Sequence, residues 1–330
     1  MKAAFFNEPG PPSTIQFGDL PQPKVGDTEV LVRVAAVAVN PIDTYIRAGA
    51  ILFDSPKPFI VGCDLSGTVE AVGSKVTRFR VGDRVWGSNQ GLLGRQGTFA
   101  EYAAVDQCWL YPTPAGVADE HAAAIALVGI TAHLGVVRDA ALKTGETLFV
   151  NGGTGGVGST VVQMAKAIGA TAITTCGTDE KCVLARSLGA DLAINYKTEN
   201  VAQRVKEFAP QGVNVFWETL REPNFDAAVE MMAERGRMII MAGRDARPTF
   251  PVGPFYVKGC ALHGFVMFKA TPDEQRVCAD DINAWLVAGK LKPRIDRVLP
   301  LAETAEAHRL QEESTVNKSG ATAGKLVLKP

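Results

Sequence analysis

The sequence predicts an α/β protein of two domains, one a partly closed β domain and the other a doubly wound parallel sheet. Three observations point there. The chain has 330 residues, more than one hydrophobic core usually organises. Up to about Tyr111 its apolar runs are short and broken by Gly and Pro. From about Glu120 to Phe265 strand-like runs alternate with helical patterns, and such alternation demands parallel strands joined by helical crossovers.

In order, "EVLVRVAAVAV", "GTVEAVG", "DRVWG" and "FAEYAAV" are the strand candidates of the first region. Those of the second are "TLFVN", "AITTC", "LAINY", "VNVFWE" and "RMIIMAG". After about Phe268, "TPDEQRVCADDINAWLVAGKL" reads as a helix, with Pro272 near its start and Gly289 near its end. A short strand, "GKLVLK", closes the chain. No internal repeat, low-complexity segment or long linker is visible.

The composition excludes some classes of partner. The formal net charge is −1, so nothing electrostatic draws the chain to nucleic acid or an anionic membrane. The apolar run in "MKAAFFNEPGPP" is too short for a signal peptide. No apolar run approaches the roughly 20 residues of a membrane span, and a cytoplasmic location is expected. The six cysteines, Cys63, Cys108, Cys176, Cys182, Cys260 and Cys278, show no metal-type spacing and read as small buried hydrophobes.

The most informative stretch is "NGGTGGVGSTVVQMAKAIGA", Asn151 to Ala170. It follows a buried-strand run, and from Gly153 to Gly158 it matches G-x-G-x-x-G. Val157, Val161, Met164 and Ile168 then mark one apolar helical face. Glycines at a strand-to-helix turn let the backbone approach a pyrophosphate, and the helix start supplies unpaired N–H groups and partial positive charge. Gly153, Gly155, Gly156, Val157 and Gly158 are therefore candidate dinucleotide-binding residues. NAD sites usually place an acid at the end of the next strand. Here that strand ends in Cys176-Gly177-Thr178, with Lys181 soon after. This favours NADPH, with Gly177, Thr178 and Lys181 at the 2′-phosphate. Asp179 keeps an NADH reading open.

These motifs, with "NPIDTYIRAG", "GTVEAVGSKVTRFRVGDRVWG" and "GTFAEYAAV", resemble the medium-chain dehydrogenase/reductase superfamily across essentially the whole chain. The branch they resemble is the zinc-independent quinone oxidoreductases, which include the zeta-crystallins. The resemblance implies a GroES-like β domain from residues 1–120 and 267–330, and a Rossmann domain from 121–266, with the active site in a cleft. It implies a homodimer or homotetramer joined through the last Rossmann strand, around Ala261 to Val266. Where zinc-dependent relatives carry metal ligands, this sequence has Asn40, Cys63-Asp64 and Leu127, and no metal is expected. Hydride then goes to an acceptor that delocalises charge by itself, a quinone or an α,β-unsaturated carbonyl. A non-catalytic NADPH-binding protein is the third reading.

The resemblance also assigns residues. Asn40 bonds the nicotinamide ribose or the substrate oxygen, and Tyr45 donates to the substrate carbonyl, since a phenol is a donor near neutral pH. Thr131 lies near the nicotinamide. Lys181 and Tyr196 are the 2′-phosphate and adenine-side contacts, and Gly243, Arg244 and the segment from Val266 to Phe268 follow the last two strands. Gly320 stands where some relatives have a phosphate-binding Arg, with Lys318 as a substitute. "FWETLREPNFDAAVEMM" departs from the common pattern, with Glu218, Arg221 and Glu222 where relatives often have Asp-x-x-Gly.

Overall fold

The computed structural model describes residues 1–51, 55–316, 320 and 322–330; Lys318 lies outside them. The chain forms two compact units, one of residues 1–130, 271–287 and 293–330, the other of 131–270 and 288–292. The divisions expected at 120/121 and 266/267 thus fall at 130/131 and 270/271.

The chain begins with β1 (Lys2–Phe6), β2 (Gln16–Asp19), β3 (Glu29–Ala38), α1 (Pro41–Arg47), β4 (Phe59–Ile60), β5 (Leu65–Val72), β6 (Arg84–Gly87), β7 (Tyr102–Asp106) and β8 (Leu110–Pro112). Helix α2 (Asp119–His133) leads into β9 (Thr147–Val150), α3 (Gly156–Ile168), β10 (Thr171–Cys176), α4 (Asp179–Ser187), β11 (Leu192–Asn195) and α5 (Val201–Phe208). Then come β12 (Val213–Glu218), α6 (Phe225–Met231), β13 (Met232–Ile240), α7 (Val252–Val257) and β14 (Ala261–Gly264). The chain ends with α8 (Pro272–Val287), β15 (Ile295–Pro300), α9 (Thr304–Thr315) and β16 (Lys325–Lys329).

In the first unit the main sheet runs β15-β16-β3-β5-β6-β8, with β7 also on β3, and a small sheet runs β2-β1-β4. The early part of α2 belongs here because Ala123 and Ala124 pack with Ala36, Ala38 and Val327 in one buried cluster. Side chains this small let helix and strands approach closely, and this shifts the first division beyond 120. The C-terminal strand pairs antiparallel with β3, Val327 opposite Ala38. Two residues further in that register, Lys325 comes level with Asn40.

In the second unit six parallel strands run β11-β10-β9-β12-β13-β14. Counted from β9 this is the order 3-2-1-4-5-6 of a doubly wound dinucleotide-binding sheet. Phe149 of β9 stacks on Phe216 of β12 at 4.7 Å within the core beneath the crossover helices.

One expectation needs correction. Residues 119–139 form a continuous helical stretch long and apolar enough, by length and composition, to cross a membrane. Its best window is 78% buried inside the protein, so core packing accounts for its apolar character.

Candidate active site

The glycine turn lies where the sheet of the second unit reverses its winding, β10 on one side of β9 and β12 on the other. Gly152 adopts φ +73°, and Gly155 precedes α3 with no side-chain cap. The first N–H groups of α3 are thus left for an anion, with the positive end of the helix behind them. Gly156 and Val157 are its first two residues. The fold itself demands two of the glycines. A Cβ on Gly153 would lie 2.3 Å from Thr174 Oγ1, and one on Gly158 2.2 Å from the Gly152 oxygen. A Cβ on Gly155 would meet only the Gly152 oxygen, at 3.4 Å.

A polar brace holds this turn. The Gly152 N–H donates to Thr175 Oγ1 (3.2 Å), and the Thr175 hydroxyl donates to Asn151 Oδ1 (3.1 Å). Asn151 Nδ2 donates to Glu218 Oε1 (3.0 Å), which also accepts from the Leu220 N–H (2.7 Å). Burial holds the Glu218 carboxyl above the usual carboxylate range. The residue that departs from the common pattern is therefore part of the support of the turn.

Several predicted cofactor residues gather at the ends of β10 and β11. Thr178 caps α4 by accepting from the Lys181 N–H at 3.3 Å. The Tyr196 hydroxyl lies 2.9 Å from where a Gly177 Cβ would be, so glycine leaves room for that ring. Asp179 sits in the first turn of α4 and accepts from Asn195 Nδ2 at 2.7 Å. Gly243 (φ +77°) follows β13, and its neighbour Arg244 is an exposed side chain 4.0 Å from Asp245. Val266 and Phe268 follow β14, Phe268 within a short 3₁₀ turn. Thr131 is buried in the last turn of α2.

The first unit holds a second constellation. Asn40, Cys63 and Asp64 are fully buried together, and the Leu127 backbone lies against the Asp64 carboxylate. Asn40 Nδ2 donates to Ala38 O (3.2 Å) and to Asp64 Oδ2 (2.8 Å). Ser88 donates to Asp64 Oδ1 at 2.6 Å. Lys325 Nζ donates to Val39 O (2.7 Å) and to Asn40 Oδ1. At the start of α1, Asp43 Oδ2 accepts from the Asn40 N–H at 2.7 Å. Tyr45 lies on α1 and is half-buried.

Burial dominates the electrostatics. It pushes Asp43 up to about 7, with the Asp64 charge adding and the Cys63 thiol and Lys325 opposing. It raises Asp64 as well, against Lys325, Ser88 and Asn40. Cys63 is held as a thiol by burial and the two neighbouring carboxylates. Burial lowers Lys325, while Asp64 and Asp43 sustain its charge.

Within the protein, both amide hydrogens of Asn40 are donated to Ala38 O and Asp64 Oδ2, and its oxygen accepts from Lys325. Lys325 went unrecognised in the sequence, because nothing in "GKLVLK" tells which side chain of a short strand turns inward. The set also does not fit zinc, which wants thiolate, imidazole or carboxylate ligands free to close on it. Here an ammonium is already bonded into the group, and the Asp64 carboxylate already accepts from Asn40 and Ser88. Among the described residues no cluster of three or more His, Cys, Asp or Glu is arranged to hold a metal.

Comparison with known proteins agrees with this layout. Residues 26–115 match the alcohol dehydrogenase GroES-like domain, and residues 156–281 match the family described as zinc-binding dehydrogenase. The second match excludes Asn40, Cys63, Asp64 and Lys325. Human quinone oxidoreductase is 32% identical over 99% of this chain and 97% of its own. The chain belongs to the quinone oxidoreductase branch of the medium-chain dehydrogenase/reductase superfamily. It is an oxidoreductase with a GroES-like and a Rossmann domain. Within this superfamily it is also 32% identical to an NADPH-dependent alkenal/one oxidoreductase of Arabidopsis thaliana, over 100% of this chain and 80% of the relative. Among solved structures, an NAD-dependent alcohol dehydrogenase superposes with a TM-score of 0.89 at 30% identity, both chains fully covered. Escherichia coli quinone oxidoreductase complexed with NADPH gives 0.88 at 25% identity, again with both chains fully covered.

Proposed function

We propose that this protein reduces quinones with NADPH. The observation that carries the cofactor choice is the end of β10. β10 ends at Cys176 and is followed by Gly177 and Thr178, without the acid of an NAD site; Lys181 is nearby in the first turn of α4, and the nearest acid, Asp179, is engaged by Asn195. The uncapped start of α3 and the bare backbone at Gly155 fit a pyrophosphate. Gly153, Gly156, Val157 and Gly158 would shape that cradle, and Gly177, Thr178, Lys181 and Tyr196 would receive the 2′-phosphate and adenine side. Thr131, Gly243, Arg244, Val266 and Phe268 would complete the binding surface. The bound dinucleotide supplies the hydride. Tyr45 would donate a hydrogen bond or proton to the substrate oxygen. The whole-length likeness to quinone oxidoreductases supports a quinone as acceptor, and a second copy of the chain on β14 would form a homodimer.

An enone or 2-alkenal is the second reading, favoured by the likeness to the Arabidopsis alkenal/one oxidoreductase. The test is NADPH oxidation with 1,2-naphthoquinone or 9,10-phenanthrenequinone beside crotonaldehyde and 2-hexenal. Faster turnover of the quinones is expected. Preference for the aldehydes moves the assignment to the second reading, and NADPH binding without turnover on either set overturns both. Lys181→Ala should weaken NADPH about 10- to 100-fold, the worth of one charge-assisted contact, and leave NADH unchanged. Equal effects on the two nucleotides would remove Lys181 from the 2′-phosphate.

A further inference from the structure

We infer that Lys325 is a positioning residue. Through the Val39 carbonyl and Asn40 it anchors the N-terminus of α1, and so sets where Tyr45 stands. The inference rests on the reading of Tyr45 as the donor to the substrate oxygen.

The chain of contacts is short. Lys325 Nζ bonds the Val39 carbonyl and Asn40 Oδ1, one at the end of β3 and the other at the start of α1. Asn40 is fixed from its other side by Asp64, which Ser88 orients in turn. The amide cannot turn over. A flip would set its NH₂ against the ammonium and its oxygen against the carboxylate, donor facing donor and acceptor facing acceptor. The Asn40 backbone N–H is meanwhile held by Asp43, in the first turn of the same helix. Asn40 therefore acts by where it places α1. The helix is seven residues long, so Tyr45 is only one turn or so from that anchor.

The other end of α1 is tied as well. Buried Arg47 pairs with Glu312 of α9 and donates to Gly10 O. With both ends fixed by buried charge, little of the helix is left to chance. Loss of the Lys325 anchor should shift Tyr45 and lower kcat. A misplacement near 1 Å costs up to about a hundredfold.

The test is a double-mutant cycle on kcat with quinone and saturating NADPH. Lys325→Met and Tyr45→Phe should each lower kcat, and the double variant should be no worse than Tyr45→Phe alone. Lys325→Arg, which keeps the charge, should recover part of the loss. If Lys325→Met does not fold, Lys325→Gln takes its place in the same cycle, since a shorter, neutral amide removes the ammonium that holds Asn40 while leaving a polar group in the site. Additive losses would mean Lys325 supports the fold without acting through Tyr45, and would overturn the inference. So would an unchanged kcat in Lys325→Met or, where that does not fold, in Lys325→Gln. Wild-type kinetics in Tyr45→Phe would instead remove the reading of Tyr45, and the inference with it.

Discussion

Asp43 is the residue whose burial should be most visible in solution. Its carboxyl rises from the ordinary 3.8 to about 7, so the folded protein holds a proton there that the unfolded chain has released. Stability must then fall as pH climbs from about 4 to about 7, and the fall must stop above that window. A shift of this size corresponds to on the order of 4 kcal/mol. His308 works in the opposite sense. Burial beside Arg47 pushes its imidazole down to about 3, so its contribution is complete above the ordinary 6.5 and is lost as pH drops towards 3. Wild-type stability mixes the two, but Asp43→Asn isolates the first. The amide is neutral at every pH and still accepts from the Asn40 N–H. Thermal unfolding from pH 4.5 to 7.5 should show the Tm of the variant gaining on the wild type as pH rises. Parallel curves would mean that Asp43 titrates in its ordinary range. Neither residue was legible as a titrating group in the sequence. Asp43 sits in "NPIDTYIRAG", and its burial beside Cys63, Asp64 and Lys325, far away in the sequence, removes the water.

At the scale of elements the glycine turn gives the sharpest contrast. Gly158→Ala sets a Cβ 2.2 Å from the backbone oxygen of Gly152, which cannot move without parting α3 from the turn. Gly155 keeps an ordinary φ of −75° and has room for a methyl group. Gly155→Ala should therefore leave Tm almost unchanged while weakening NADPH binding, whereas Gly158→Ala should lower both. Calorimetry paired with fluorescence titration of NADPH separates them, and a large Tm loss in Gly155→Ala would contradict the assignment. This turn could be read from sequence because strand, glycines and helix are contiguous. The same holds for β3, β5, β6 and β9 to β13, whose apolar runs are long or regular. By contrast β15 was missed, since "IDRVLP" is largely exposed and shows no clean alternation. α9 was missed because its buried face is only Thr304, Ala307, His308 and Leu310, a stripe that carries polar groups. The cluster around Asn40 joins residues up to 285 positions apart, which no local pattern can reveal.

At the scale of the whole molecule, the proposed homodimer turns on whether β14 can pair with a second copy. Among the described residues β14 ends the six-stranded sheet and pairs only with β13, leaving one side of its backbone without a strand partner there. An exposed edge of this kind is usually blunted by Pro, Lys or a bulge, yet "ALHG" contains neither Pro nor Lys. Exposed apolar side chains lie on it and on α7, the helix just before it in the chain. Val252, Tyr256 and Val257 of α7 are 64%, 70% and 75% exposed, and Leu262 of β14 is 43% exposed. A two-fold axis at this edge would pair β14 with its copy, bury both sets of side chains and continue the sheet across two chains. The wild type should therefore run in light scattering at about twice the 35.1 kDa of one chain. Val257→Glu with Leu262→Asp should give a single-chain mass, because the symmetry sets each new carboxylate near its own copy. A wild type of single-chain mass at micromolar concentration would refute the pairing. A dimer that survives the double substitution would place the interface on another face.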